Sequence, residues 1–411
     1  MSAIAETRID VAEGDRLARR NALVLAIAQA LAGANHTVIV GTAGIVGGML
    51  AGDKTLATVP ISTFVLGMWM ATLPVGAIAK RFGRLAAFEA GAFCGTLAGV
   101  FCALAVLQAS FVLLCVGAAF GGFYAAGHQS YRFAAADTAS GEFKPKAISW
   151  VLAGGVFAGV VGPQLVIITK DMWQPYLFVA SYLSQAVIAL VAAAVLTLVR
   201  FPKAVPTKGP VGGGRPLGEI FSQPRLIVAV VCGVASYAMM NLVMTSAPVA
   251  MVDCNHSITN ATLGLQWHVM AMYAPSFITG ALIARFGISR VVGSGLAIIA
   301  AGAAVGLSGV TIWHFWTTLV LLGIGWNFAF VGATAMVTQC HRPEERNKVQ
   351  AVNDFLVFGS MAVGSFSSGQ LLARFGWTMV TEVVFPVIFI AAAMLVGHVL
   401  FGRQAQRTSA T

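Results

Sequence analysis

The chain has 411 residues, of which 58% are apolar and only 10% charged, and its formal net charge is +10. A water-soluble domain carries about 25% charged residues, so the composition excludes a soluble enzyme and makes lipid the expected solvent, in which helices satisfy their own backbones. The positive charge forms no basic patch interleaved with exposed aromatics, so it is read as membrane topology and no nucleic-acid partner is expected.

In chain order, residues 1–20 form a polar tail. Arg16, Arg19 and Arg20 precede an apolar run too long for a signal peptide, so that run reads as an anchor with its N-terminus inside. Twelve candidate spans follow, near the length that crosses the hydrocarbon of a bilayer. The first six are Leu23–Val46, Pro60–Ile78, Leu85–Leu107, Phe111–His128, Ala147–Ile168 and Tyr176–Leu198. The second six are Leu226–Val249, Leu263–Ala284, Val291–Leu307, Phe315–Val337, Val349–Leu372 and Met379–Phe401. Between the sets lies Arg200–Arg225, rich in proline and glycine and expected to hold little helix. The expected organisation is a bundle over 21–199, a linker over 200–225, a bundle over 226–402 and a tail over 403–411.

Cation placement tests this order. With the N-terminus inside, all but Lys54, Lys170 and Arg374 of the 25 lysines and arginines fall on the cytoplasmic side, as the positive-inside rule requires. Both termini are then cytoplasmic. The six cysteines have no metal-ligand spacing, so neither a disulfide framework nor zinc is expected.

The two halves also repeat. Gly76-Ala-Ile-Ala-Lys80-Arg81-Phe82-Gly83-Arg84 ends the second span, and Gly280-Ala-Leu-Ile-Ala-Arg285-Phe286-Gly287 ends the eighth. Gly76 and Gly280 are 204 positions apart, as are Gly121 and Gly325, and Gly155 and Gly359. A third Arg-Phe-Gly, Arg374 to Gly376, breaks this register and reads as a helix-end turn on the outer side. The expected fold is an all-α membrane protein of twelve transmembrane helices, arranged as two pseudo-symmetric six-helix bundles.

Twelve spans, the six-plus-six repeat, the central linker and the Gly-x-x-x-x-Arg-x-Gly-Arg loop together resemble the major facilitator superfamily over essentially the whole chain. The resemblance implies that Gly76, Arg81, Gly83 and Arg84 belong to a loop that takes part in gating. Lys80 stands where the family usually has aspartate, so Arg81 and Arg84 pair elsewhere, with Glu89 or with a helix C-terminus. Lys80 and its neighbours otherwise only fix topology. Gly155, Gly159, Gly162 and Pro163 in the fifth span, and Ser360, Gly364 and Ser368 in the eleventh, form small faces for close helix contact.

Polar side chains inside spans mark a cavity or a functional site. Asn35 and His36 fall near the middle of the first span, Asn241 and Thr245 in the seventh, and Trp326 and Asn327 in the tenth. These spans line the central cavity in the resembled family. The eighth span supplies Gln266, His268 and Tyr273, and Pro275 should kink it. Tyr273 with Trp326 would wall a flat aromatic site. A free imidazole titrates near neutral pH, so His36 is a candidate proton carrier, with a neutral ring bonded to a backbone carbonyl as the alternative. Glu89, Asp354 and Glu382 are the carboxylates within spans. Asp354 is the preferred proton or gating group, because Arg342, Arg346 and Lys348 lie close in sequence; a solvated helix-start acid is the alternative.

No phosphate-binding loop and no catalytic set occur, so no cofactor, metal or enzymatic reaction is expected. The chain is expected to be a monomeric secondary transporter in the cell inner membrane, moving a small organic solute by alternating access with a coupling proton. The stretch Gln266 to Gly280, with Trp326-Asn327 and Lys348 to Asp354, resembles a bacterial subgroup of vitamin importers, which implies a riboflavin-like solute. A drug or metabolite exporter and a non-transporting sensor are the alternatives.

Overall fold

The computed structural model describes residues 2–137, 139, 143–200, 214–342 and 345–408. The linker residues 201–213 and the last three residues of the expected tail lie outside them. Every described element is helical, and the chain divides into two units.

The first unit comprises residues 1–53 and 59–206. Its helices are α1 (Ser2–Leu50), α2 (Val59–Phe82), α3 (Arg84–Leu107), α4 (Phe111–His128), α5 (Tyr131–Asp137), α6 (Lys144–Thr169) and α7 (Val179–Leu196). α1 packs on α6, α2 on α4, and α3 on both α4 and α7. Small residues bring these helices to backbone distance. A Cβ at Gly122 would lie 2.0 Å from the Phe64 carbonyl oxygen of α2, and one at Gly162 would lie 1.8 Å from Thr37 Oγ1 of α1. No side chain fits either place, so the sequence must leave both bare. Asn21 on α1 exchanges two hydrogen bonds with the backbone of Arg200, its Nδ2 donating at 2.8 Å and its Oδ1 accepting at 3.1 Å. The chain is thereby fastened to the first unit where the linker starts.

The second unit comprises residues 54–58 and 207–411. Its helices are α8 (Leu217–Phe221), α9 (Pro224–Asp253), α10 (Ile258–Tyr273), α11 (Ser276–Phe286), α12 (Ile288–Ser308), α13 (Ile312–Thr338), α14 (Arg346–Glu382) and α15 (Val384–Thr408). α9 packs on α14, α10 on α13, and α12 on both α13 and α15. These pairings repeat those of the first unit, span for span, as the half-chain offset requires. Gly364 supplies a small contact here, its Cβ position 3.1 Å from the Ala238 carbonyl oxygen.

Among the described residues, ten helices are long and apolar enough to cross a membrane, or eleven if α10 and α11, bent by 42° where they meet, are one span. The bend sits at Pro275, as expected, because proline cannot donate to the preceding turn. The last of these stretches, Lys348–Leu400, is 53 residues long, about twice what one crossing needs. It breaks at Gly376, whose φ is 77°. Counted as two, it restores the twelve expected spans. Helix α1 begins at Ser2, inside the segment expected to be a polar tail, and the short helices α5 and α8 were not anticipated. Large side chains such as Leu73, Phe157, Trp313 and Phe389 face outward, more than 60% exposed. That belt is stable in hydrocarbon and would be costly in water, so the protein is a multi-pass membrane protein.

All three Arg-Phe-Gly turns end a helix in the same way. Gly83, Gly287 and Gly376 have φ of 90°, 86° and 77°, a region that glycine enters freely and other residues rarely adopt. In the two copies that obey the repeat, the arginine lies over the ring of the phenylalanine beside it, Arg81 on Phe82 at 5.1 Å and Arg285 on Phe286 at 5.2 Å.

Candidate functional site

In the second unit, α9, α13 and α14 bring four aromatic rings together. Trp326 stacks on Phe330 with centroids 5.3 Å apart and planes at 13°. Tyr237 meets both edge-on, at 5.1 and 4.7 Å, and Phe358 of α14 lies 6.3 Å from Tyr237. Edge-to-face and offset stacking are the favoured aromatic geometries. Trp326 was anticipated; Tyr237, Phe330 and Phe358 were not. The signal was helical spacing: Phe330 is four residues after Trp326, and Tyr237 four before Asn241, so each pair shares a helix face. Trp326 Nε1 and Thr245 Oγ1 are enclosed without a hydrogen-bond partner among the described residues.

Asn327 is fully buried and grips the break between α10 and α11. Its Nδ2 donates to the Met272 carbonyl at 2.7 Å and to Ser276 Oγ at 2.6 Å, and its Oδ1 accepts from Thr279 Oγ1 at 2.6 Å. A proline-broken helix leaves backbone carbonyls without intrahelical donors, and this amide supplies one. Asn241 Nδ2 donates to the Met361 carbonyl at 3.1 Å, joining α9 to α14. His268 is buried on α10, with Nδ1 2.7 Å from the Leu319 carbonyl. A carbonyl only accepts, so Nδ1 carries the proton and Nε2 is the acceptor; that Nε2 is enclosed and unpartnered. Gln266 is buried and Tyr273 half-buried on the same helix.

A groove of about 830 Å³ also opens in this unit, lined by Ala238, Met239, Leu242, Ser360, Gln370 and Arg374 among others. It shares α9 with the aromatic set, but none of the four rings lines it.

In the first unit, Asn35 and Gln185 form a reciprocal clasp between α1 and α7. Asn35 Nδ2 donates to the Gln185 carbonyl at 3.1 Å, and Gln185 Nε2 donates to Asn35 Oδ1 at 3.0 Å. His36, one residue on, is half-buried. Its ring centre lies 4.8 Å from that of Phe64 and 6.0 Å from that of His128.

The candidate gating residues fall at helix ends. Lys80 and Arg81 are exposed at the end of α2, Arg84 starts α3, and Glu89 is half-buried one turn further on. Asp354 is half-buried on α14, with its Oδ1 3.2 Å from Asn353 Nδ2. Lys348, expected near Asp354, donates instead to the Arg215 carbonyl; the Arg346 side chain lies outside the described residues.

An unanticipated ion pair joins the end of the linker to the turn before α14. Arg215 Nε and Nη2 donate to Glu345 Oε1 and Oε2 at 3.0 and 2.9 Å. The backbone N–H groups of Arg215 and Arg342 add donors at 2.8 and 3.0 Å. The Glu345 side chain is wholly enclosed. The Arg215 guanidinium, and then these backbone donors, hold its carboxyl far below the usual carboxylate range. Gly214, with φ of 102°, makes the turn that brings the linker over Glu345. No local spacing announces a pair 130 residues apart.

The Major Facilitator Superfamily profile matches residues 25–275 and again 229–410. A riboflavin transporter, RfnT of Brucella anthropi, is 48% identical over 380 residues, covering 92% of this chain and 96% of that one. The uncharacterized transporter YddS of Bacillus subtilis is 28% identical over 388 residues, covering 89% and 88%. Among solved structures, the nucleoside transporter NupG superposes with a TM-score of 0.69 at 13% identity, covering 91% of this chain and 98% of its own. A bacterial homolog of the human lysosomal transporter Spinster, inward-facing and unoccupied, gives 0.67 at 15% identity, covering 92% and 96%.

Proposed function

This chain belongs to the major facilitator superfamily, and from that premise we propose that it imports riboflavin, or a close relative of it, across the cytoplasmic membrane. The observation that carries the substrate is the 48% identity to a riboflavin transporter over nearly the full length of both chains. The aromatic set on α9, α13 and α14 agrees with it. A flavin is a flat polycycle whose faces stack on aromatic rings and whose edge carries hydrogen-bonding groups. Trp326, with Tyr237 and Phe330, is assigned to the ring system. Thr245, His268, Gln266 and Tyr273 are assigned to its polar edge. Asn35, Asn241 and Asn327 have amides engaged by the protein, so they shape the site by holding their helices.

Transport proceeds by alternating access and is driven by protons in this reading. His36 and Asp354 are the coupling candidates. Lys80, Arg81, Arg84, Glu89 and Asp354 form the gating set at the helix ends, with both termini in the cytoplasm and the protein acting as a monomer.

The test is uptake of a labelled solute panel, flavins included, by cells that lack flavin import and express this protein. Riboflavin should accumulate above vector controls. Accumulation of another panel member alone would reassign the substrate, and net efflux would reverse the direction.

A further inference from the structure

Between His36 and Glu89 the first unit encloses three titratable groups, His128, Tyr124 and Tyr131, that the preceding assignments leave unused. His128, in the last turn of α4, is 2% exposed. Its ring centre lies 6.2 Å from that of Tyr124 and 6.3 Å from that of Tyr131, besides the 6.0 Å to His36. Gln29 Nε2 is 3.3 Å from His128 Nδ1. An amide N–H donates, so Nδ1 accepts and the neutral ring carries its proton on Nε2. That Nε2 and Oε1 of Glu89 are enclosed and have no hydrogen-bond partner among the described residues, while the enclosed hydroxyls of Tyr124 and Tyr131 face each other as a hydrogen-bonding pair. Buried polar atoms are nearly always paired, and exceptions point to bound water or to function. Here the unpartnered groups, on α3 and α4, flank the phenol pair of α4 and α5.

The groups also act on one another. The Glu89 carboxyl interacts electrostatically with both phenols, and His128 does so with His36 from α1 and Arg132 from α5. Phe64 from α2 and Phe88 from α3, which also pack on the cluster, are apolar. The ends of the series, His36 and Glu89, are half-buried, whereas His128, Tyr124 and Tyr131 are closed off.

We propose that His36, His128, Tyr124, Tyr131 and Glu89 form a hydrated proton path through the first unit, with His128 as the relay and Glu89 as the terminal acceptor. One proton passes from the His128 imidazolium, which returns to neutral, through water and phenol hydroxyls to the Glu89 carboxylate, which becomes a carboxylic acid. The inference rests on the proton-driven reading above. It assigns the relay to a histidine behind His36 and gives Glu89 a protonic role beside its place in the gating set.

Two readouts test it. In liposomes, riboflavin counterflow without a gradient reports binding and exchange, and a pH-sensitive dye with an imposed pH gradient reports proton-driven accumulation. His128→Gln should keep counterflow and lose gradient-driven accumulation, and Tyr131→Phe should slow the second alone. Variants that accumulate riboflavin like the parent would overturn the path while leaving proton coupling intact. A parent that exchanges riboflavin without taking up protons would overturn both. The second readout needs no substrate: the pH-difference infrared spectrum of the purified protein should show a carboxylic-acid band that vanishes in Glu89→Gln and titrates at a different pH in His128→Gln. A Glu89 band indifferent to His128→Gln would sink the relay even if riboflavin proves not to be the substrate. Should His128→Gln fail to reach the membrane, Tyr131→Phe carries the same comparison.

Discussion

Arg215 and Glu345 form a two-pronged ion pair that fastens the end of the linker to the second unit, with a wholly enclosed carboxylate at its centre. Bidentate geometry is what a guanidinium offers and an ammonium cannot. Arg215→Lys should therefore release the linker end, read as faster tryptic cleavage and faster amide exchange over residues 214–221. Because Glu345 is held far below its ordinary value, its contribution is fully present above the unfolded carboxylate range, near pH 4. It is lost only as pH falls through the much lower native value. The protection factor over this segment, with the intrinsic pH dependence of amide exchange divided out, should thus be flat from neutral pH down to about pH 5; a transition between those limits would refute the assignment.

Asn327→Ala removes the amide that serves Met272, Ser276 and Thr279. Buried partners left unpaired cost about 1–3 kcal/mol each, partly offset by new pairings between the two hydroxyls. The variant should lose about 2–4 kcal/mol and abolish uptake while still reaching the membrane. Normal uptake would remove Asn327 and the α10–α11 bend from the transport machinery.

Trp326→Leu deletes the stacking face but keeps apolar bulk. Aromatic pairs contribute about 0.5–1.5 kcal/mol beyond area, so riboflavin affinity should fall roughly tenfold, measured by quenching of flavin fluorescence. Trp326→Phe should recover most of the loss. Equal affinity in all three proteins would place the flavin elsewhere.

His36→Gln keeps a polar side chain at the half-buried end of the first-unit cluster but cannot carry a proton near neutral pH. Exchange should persist and pH-driven accumulation should be lost. Unaltered accumulation would deny His36 a place in coupling.

Arg81→Ala removes a guanidinium from the end of α2 without opening a core contact, since its neighbour is the exposed Phe82. Turnover should slow more than affinity weakens. A pure affinity loss would argue that the residue fixes topology only.

The spans, their number and the repeat were legible in sequence because lipid imposes length and composition on every crossing helix. The bend at Pro275 was legible for a local reason, the missing N–H. The family was legible in sequence, whereas the surroundings of the polar residues within the spans were legible only in part. Trp326 and Asn327 stand out as polar-bearing residues in an apolar run, yet their partners come from α9, α10 and α11, which no spacing within α13 reveals. Tyr237 and His128 were overlooked because each looks like an ordinary side chain until its neighbours are known. The extension of α1 to Ser2 was missed because polarity was taken as the sign of a loop, although polar residues form helices wherever they need bury nothing.

Gly122 and Gly162 leave no room for even a methyl group between α2 and α4 or between α1 and α6. The consequence is mechanical. Neither pair can slide by one residue without driving a side chain into a neighbouring backbone, so each acts as a welded strut. Compliance must come from where the helices are already interrupted, at Pro275 and Gly376. A crosslink across a strut should then be harmless to the working cycle, and one across either joint should stall it.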